Sequence, residues 1–199
     1  LEGSAWCAFG GRKPPISHPM ISHPSCSRPS TRAERDGQKS EKGTFPEAGL
    51  EVALLGEAPG HLGGSSYLAV CHGIERGSPP PVDYARDLAL NAKVRDLVRS
   101  GTVQCAHDIS DGGLAVAMAE LCMGGVGGEF SLPQGDATGA LFGEDHGCVV
   151  VAYDPAHREQ VGGTVLGTTG GDRFVLGAIS TTVAEVIDAW QLEFGDWAK

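Results

Sequence analysis

The stretch AHDISDGGL, residues 106–114, decides how this chain folds and where its chemistry could lie. A short apolar run leads into it and a helical pattern follows it, which predicts a strand, a tight turn and a helix. The turn places Asp108 and Ser110 beside the start of the helix, and Gly112 and Gly113 allow a ligand to approach the backbone closely. A helix N-terminus attracts anions, and Mg²⁺ prefers oxygen ligands that it shares with phosphate. The pattern therefore indicates a corner for phosphate and magnesium.

The same turn also has a purely structural interpretation. Asp108, Ser110 and Asp111 are all of the residue types that cap helix N-termini, so the turn could serve only to start the helix. His107, at the end of the strand, is more typical of a hydrogen-bonded structural residue than of a catalytic one. Spacing alone leaves both interpretations of the turn open.

The segments around the turn predict a mixed order of helices and strands. The preceding strand covers residues 103–107. The helix after the turn has an apolar stripe at helical spacing, formed by Leu114, Ala117, Met118, Leu121 and Cys122. Other apolar runs predict strands at residues 52–55, 67–71, 149–151 and 174–176. The valines at 149–151 are typical of a strand that is covered on both faces of its sheet.

Two further helices have clear start signals. Asp83 can cap a helix that we expect to run to about Ser100 and to end at Gly101. Thr182 and Glu185 form a capping box at the start of the last helix. We expect that helix to turn its apolar residues inward, namely Val183, Val186, Ile187 and Trp190. The predicted fold class is α/β (α+β), a mixed β-sheet flanked by helices.

The charge of the chain changes abruptly near residue 45. Residues 1–44 carry seven Lys/Arg and four Asp/Glu, a balance of +3; residues 45–199 carry eight and twenty-one, a balance of −13, and the sum is the net charge of −10. Residues 1–44 also contain few branched aliphatic side chains among several prolines, so we expect them to be disordered and residues 45–199 to form the domain. The chain begins with Leu1 and not with Met, which fits a truncated or misjoined reading frame.

Composition argues against several classes of protein. A net charge of −10 is unsuited to binding nucleic-acid polymers, which requires a basic face. No run approaches the roughly 18 apolar residues that span a membrane, and residues 1–44 lack a hydrophobic signal core. The six cysteines include no CxxC pair, so the sequence indicates neither a zinc site nor a redox couple. We expect a cytoplasmic protein with reduced thiols.

Four stretches of the chain resemble, in the same order, the formylglycinamide ribonucleotide amidotransferases (phosphoribosylformylglycinamidine synthases). They are VALLGEAPGHLGGSSYL at 52–68, AHDISDGGLAVAMAE at 106–120, LFGE at 141–144 and GGDRFVL at 170–176. The resemblance covers about residues 45–190 and concerns the last domain of the synthetase. It implies a C-terminal domain of the type found in aminoimidazole ribonucleotide synthetase and its relatives.

The resemblance implies a part of an ATP-dependent C–N ligase of de novo purine biosynthesis. In that family, ATP activates the formyl amide oxygen of formylglycinamide ribonucleotide, and ammonia from glutamine then displaces phosphate. Carried over residue by residue, Asp108 becomes a Mg²⁺ ligand, and Ser110, Gly112 and Gly113 become nucleotide contacts. Mg²⁺ and ATP or ADP are the implied cofactors, and the implied partners are the remaining synthetase domains and a glutaminase domain or subunit. No catalytic residue is carried over.

Three departures from the family pattern bear on this assignment. The family continues LFGE with Ser-Gln and a basic residue, whereas this chain has Asp145, which would oppose a bound phosphate. The family has a longer helix where this chain has residues 154–161, which suggests an internal deletion near 154–163. The chain contains neither an ATP-binding N-domain pattern nor a glutaminase Cys/His pair, so we expect a fragment that is inactive alone.

Two alternatives stay open. Selenophosphate synthetase, thiamine-phosphate kinase and hydrogenase-maturation relatives share the implied architecture, although their glycine turns differ from HDISDGG. The departures also fit a non-catalytic remnant or an interaction module. The cluster Glu57, Gly63, Gly64 and Ser65 could be a loop for phosphate approach, but an ordinary tight turn is the favoured interpretation.

Overall fold

One mixed sheet of seven strands organises the chain. The structure is a computed structural model that describes residues 43–195, so the predicted disorder of residues 1–44 lies almost entirely outside the described residues. The strands are β1 (Glu51–Gly56), β2 (Val103–Asp108), β3 (Gly128–Phe130), β4 (Cys148–Tyr153), β5 (Thr164–Thr169), β6 (Arg173–Leu176) and β7 (Ile179–Thr182). Their order in the sheet is β2-β4-β1-β5-β3-β6-β7. The β3–β6 pair is parallel, and the other five pairs are antiparallel.

Six α-helices accompany the sheet in the described part of the chain. They are α1 (Ser66–His72), α2 (Tyr84–Arg99), α3 (Gly113–Cys122), α4 (Ala137–Phe142), α5 (Arg158–Val161) and α6 (Val183–Gly195), with a 3₁₀ turn at Pro155–His157 before α5. Between residues 43 and 195, no helix is long and apolar enough to cross a membrane. The predicted mixed sheet with flanking helices is confirmed.

The sheet has a hydrophobic core on each face. Side chains of α3 and α6 pack in the larger core, where the predicted stripe of α3 is buried, with each of its five side chains at most 3% exposed. On the other face, α2 and Val161 cover strands β1, β2 and β4. Val150 belongs to the first core and Val151 to the second, because successive side chains of a strand point to opposite faces. Strand β4 is thus covered on both sides, as its sequence predicts.

The strand predicted at residues 67–71 is wrong, because this segment forms helix α1. The Ser65 side chain accepts a hydrogen bond from the backbone of Leu68 at 3.3 Å and caps the helix. Gly73 ends it in the left-handed conformation, at φ 65°. A short apolar run has no periodicity that separates a strand from a single helical segment, so the caps decide.

The last helix, α6, starts where the sequence predicts, but one of its side chains is oriented differently from the prediction. Glu185 accepts from the backbone of Thr182 at 2.9 Å and donates its own N–H to the Thr182 hydroxyl at 3.2 Å, which confirms the capping box. Hydrogen bonds from Thr181 and Thr182 lower the pKa of Glu185 to about 2. Val183 and Val186 are buried, but the inward orientation expected for Trp190 is wrong, since Trp190 is 41% exposed. It lies beyond the edge of the core that the first two turns of α6 cover.

An ion pair between the exposed Arg158 and the buried Glu51 anchors the short segment at residues 154–163, where the sequence suggests a deletion. Arg158, on α5, donates from Nε to both carboxylate oxygens of Glu51 at 2.9 Å. The Tyr153 hydroxyl donates to the same carboxylate at 2.5 Å, and Glu51 is only 3% exposed. The hydrogen bond from Arg158 is the main cause that holds the pKa of Glu51 below its ordinary value. The segment is short, yet it is pinned to the sheet and buries Val161 completely.

Replacing Arg158 should destabilise the fold in a pH-dependent way. We expect Arg158→Ala to lower the free energy of unfolding at neutral pH, because it removes the cation that pairs with the buried carboxylate of Glu51. Because the folded pKa of Glu51 is lowered, the stabilisation is present above its ordinary pKa of 4.5 and is lost as the pH falls through the folded value. Urea unfolding across this range should therefore show the two proteins converging in acid. Arg95→Ala, which changes an exposed arginine on α2, should have little effect; equal losses in both variants would contradict the assignment.

Candidate functional site

Three connecting segments meet at one end of the sheet. Strands β1 and β2 lie on either side of β4 and both run antiparallel to it. Gly56, at the end of β1, is therefore paired with Cys148, and Asp108, at the end of β2, is paired with Val149. The segments 57–65, 109–112 and 143–147 continue from these three strand ends. The strand–turn–helix stretch singled out in the sequence is one of the three.

A cleft of about 450 Å³ opens between helix α2, the turn after β2 and the segment before β4. Asp108 and Ser110 are exposed and line it, so the structure brings these two predicted site residues to one surface and not into the interior. Gly112 and Gly113 do not line the cleft. The acidic residues that line it are Asp87, Asp108, Asp111, Glu144 and Asp145.

The cleft is strongly acidic. Among the described residues that line it, only His146 could carry a positive charge, against five carboxylates. A free phosphate entering the cleft would meet like charge, whereas a cation would be attracted. The electrostatics therefore favour a cation, or an anion that brings a cation with it.

The side chains around the cleft offer some, but not all, of the ligands that a magnesium ion needs. Asp108, Asp111 and Ser110 offer hard oxygen ligands, which are the ligands that Mg²⁺ prefers. Between residues 43 and 195, however, no three His, Cys, Asp or Glu side chains are placed to hold a metal ion together. This donor set fits a Mg²⁺ ion that keeps its waters and the phosphates of a nucleotide as ligands, and not a cage made of protein alone.

The first amides of helix α3 are already bonded inside the protein. Gly112 is the N-cap of α3, and its N–H donates to Glu144 Oε1 at 2.8 Å. The N–H of Gly113 donates to the carbonyl of Ser110 at 3.0 Å. The amides of Gly112 and Gly113 thus both have acceptors within the chain. That Gly112 and Gly113 contact a nucleotide stays a prediction.

Gly113 has a packing role that explains its residue type. Its φ is +70°, a backbone conformation that side chains disfavour. A Cβ atom there would lie 2.7 Å from the carbonyl oxygen of Leu141 and from backbone atoms of Phe142. The glycine therefore allows α3 to approach the end of α4 directly.

Two consecutive carboxylates tie the loops of the cleft together. Glu144 Oε1 accepts from Ser66 N as well as from Gly112 N, both at 2.8 Å, and so joins the starts of α1 and α3. Asp145 Oδ2 accepts from Gly60 N at 2.6 Å and from His61 N at 2.7 Å. The sequence shows two acidic residues after LFG, but it does not show that their partners lie 32 to 85 residues away. This structural role of Glu144 and Asp145 is what sequence reasoning missed.

The second cluster singled out in the sequence forms the turn before α1. The N–H of Ser65 donates to the carbonyl of Leu62 at 3.1 Å, and Ser65 itself is buried. Glu57, with an exposed side chain, pairs with Arg86 at 2.7 Å. These contacts make a tight turn and a surface ion pair.

His107 and Cys148 are both bonded to neighbouring oxygens. His107 contacts the carbonyl of Asp108 through Nδ1 at 2.6 Å and the carboxylate of Glu120 through Nε2 at 3.1 Å, which links β2 to α3. Cys148 donates its thiol proton to the carbonyl of Glu57 at 3.0 Å. Burial, followed by the charge of Asp145, raises the pKa of Cys148 to about 11, so the thiol stays protonated and is not a nucleophile.

Comparison of the amino-acid sequence with known proteins gives a consistent result. Residues 47–179 match the family described as AIR synthase related protein, C-terminal domain. The chain is 39% identical over 178 residues to the phosphoribosylformylglycinamidine synthase subunit PurL of Anaeromyxobacter sp. strain Fw109-5, covering 78% of this chain and 23% of that protein. It is 43% identical over 143 residues to the PurL subunit of Methylocella silvestris, covering 66% of this chain and 20% of that protein. The chain thus spans less than a quarter of the length of the curated relatives it matches.

Solved structures agree on the fold. A structure of T. maritima PurL complexed with FGAR superposes on 73% of this chain and 29% of its own chain, with a TM-score of 0.63 and 17% identity. A second structure of the same protein, complexed with ATP, gives a TM-score of 0.57 over 73% of this chain and 27% of its own. The predicted fold, a mixed sheet with helices of the aminoimidazole ribonucleotide synthetase C-terminal type, is confirmed.

Gly113→Ala should separate close packing from backbone strain. We expect the substitution to lower the free energy of unfolding by roughly 3 kcal/mol, since it adds both a left-handed strain and a clash with α4. Gly125→Ala is the matched control, because Gly125 has a φ of +92° but open space around its Cβ position. The control should cost only about 1 kcal/mol in chemical denaturation. Equal losses would show that the contact with α4 does not matter.

Proposed function

Since this chain belongs to the family described as AIR synthase related protein, C-terminal domain, we propose that it forms one wall of a magnesium–nucleotide site in a phosphoribosylformylglycinamidine synthase. The observation that carries the proposal is the position of Asp108 and Ser110, exposed together on the wall of an acidic cleft. The 39% identity to PurL subunits supports it.

In this proposal, Asp108 is a ligand of Mg²⁺ and Ser110 contacts the nucleotide, ATP or ADP. Gly112 and Gly113 shape the turn that presents Ser110, and any contact they make with the nucleotide comes from the backbone of that turn. A bound Mg²⁺ ion would neutralise phosphate charge in a cleft that otherwise repels it. Asp111 lines the same cleft and adds to its attraction for the cation.

The rest of the site comes from other parts of the enzyme. Among the described residues that line the cleft there is no Lys or Arg to bind phosphate directly. We propose that the remaining synthetase domains complete the site, and that a glutaminase domain or subunit supplies ammonia. The complete cytoplasmic enzyme would convert formylglycinamide ribonucleotide to formylglycinamidine ribonucleotide with ATP, and this chain would be a fragment of it.

Replacing the metal ligand should remove nucleotide binding. We expect the chain to bind ADP or ATP only with Mg²⁺ present, and we expect Asp108→Ala to abolish that binding, because the ion that bridges protein and phosphate is lost. Calorimetric titration of both proteins with each nucleotide, with and without Mg²⁺, measures the effect. Asp188→Ala, which removes an exposed carboxylate of α6 outside the cleft, is the control for net charge. Unchanged affinity in Asp108→Ala would remove the site assignment.

The isolated chain should not catalyse the reaction. We expect no ATP-dependent amidation of formylglycinamide ribonucleotide by the purified chain, because none of the described residues that line its cleft is a Lys or Arg that could bind phosphate. Addition of the chain to a synthetase that lacks its own C-terminal domain should restore turnover. Turnover by the chain alone would contradict the proposal, and failure to restore the truncated synthetase would favour a non-catalytic remnant or interaction module.

A further inference from the structure

We infer that Asp145 is an internal anion that closes a backbone anion site at Gly60 and His61, so that free phosphate cannot use these two donors. The inference deepens the proposed nucleotide site and rests on it for the identity of the ligand. It makes Asp145 a residue that determines specificity through the donors it occupies.

The contact has the geometry of anion binding by backbone. The consecutive N–H groups of Gly60 and His61 converge on one oxygen, Asp145 Oδ2, at 2.6 and 2.7 Å. Successive backbone amides that point to one position form a concavity for anions, and phosphate is a common occupant of such concavities. A phosphate that used these two donors would have to displace the carboxylate.

The two donors are held in place by contacts other than Asp145. The carbonyl of His61 accepts from Glu144 N at 3.0 Å, and its ring nitrogen Nε2 contacts the carbonyl of Ser78 at 2.7 Å. A Cβ atom on Gly143 would lie 2.6 Å from Gly60 N, so the backbone of Gly60 is packed against the end of α4. The concavity should therefore persist when the carboxylate is removed.

The preceding residue acts in the same way on the neighbouring loops. Glu144 Oε1 occupies the N–H groups of Ser66 and Gly112. Four backbone donors are thus taken by two adjacent carboxylates, and both carboxylates also line the cleft with negative charge. A cation bound to the phosphate removes this mismatch.

Two substitutions at position 145 separate the charge of the carboxylate from its occupation of the donors. Asp145→Ser removes the charge and is too short to reach both amides, so it opens the concavity. Asp145→Asn removes the charge but keeps an oxygen that accepts from Gly60 and His61. In Mg²⁺-free calorimetric titrations of the full chain, we expect Asp145→Ser to bind inorganic phosphate at least about tenfold more tightly than Asp145→Asn or the unchanged chain. The reason is that the two freed N–H groups can then donate hydrogen bonds to a charged phosphate oxygen.

Each other result overturns the inference. Equal gains in Asp145→Ser and Asp145→Asn would show that only charge matters, and no gain in either would show that the two amides do not form an anion site. If Asp145→Ser does not fold, amide NMR of the unchanged chain decides: the Gly60 and His61 resonances should stay still as phosphate is added, and movement would overturn the inference. Phosphate is the sole probe, so absence of Mg²⁺-nucleotide binding would defeat the proposed function without altering this result.

Discussion

The site depends on the bonding of four backbone N–H groups to two adjacent carboxylates. Glu144 and Asp145 accept from Ser66, Gly112, Gly60 and His61, and in this way they connect the loop after β1 and the turn after β2 to the segment before β4. Charge-assisted hydrogen bonds to backbone amides are stronger than neutral ones, so a few such contacts can order loops that have little apolar surface of their own.

The sheet provides the rigid base on which these loops stand. Strand β4 lies between β1 and β2 with a core on each face. Strand β2 ends at the cleft and β4 begins there. A rigid sheet that positions variable loops is a common basis for binding sites. At the other end of β1, Glu51 pairs with Arg158 and so holds the short segment before β5 against the sheet. The domain is thus fixed at both ends of its central strands by carboxylates whose partners are distant in sequence.

Acidity gives the cleft its chemical character. Five carboxylates and no Lys or Arg line it in the described part of the chain, so a phosphate group without a cation would meet like charge there. This condition agrees with a domain that supplies the metal side of a site while other domains supply the cationic side. The chain spans less than a quarter of the length of the PurL relatives it matches, which agrees with the proposal that other domains complete the site.

The sequence by itself determined the elements with periodic or capped patterns: the apolar stripe of α3, the doubly covered strand β4, and the starts of α2 and α6 at Asp83 and Thr182. It also placed Asp108 and Ser110 at a strand end, because a strand, a turn and a helix are local features. Tertiary structure decided the rest. The run at 67–71 is an exception, since its helix is set by the local caps Ser65 and Gly73, whereas Trp190 stayed partly exposed because the core ends before it. Glu144, Asp145 and Glu51 found partners far along the chain, and no local pattern encodes which distant amide or guanidinium a carboxylate will meet.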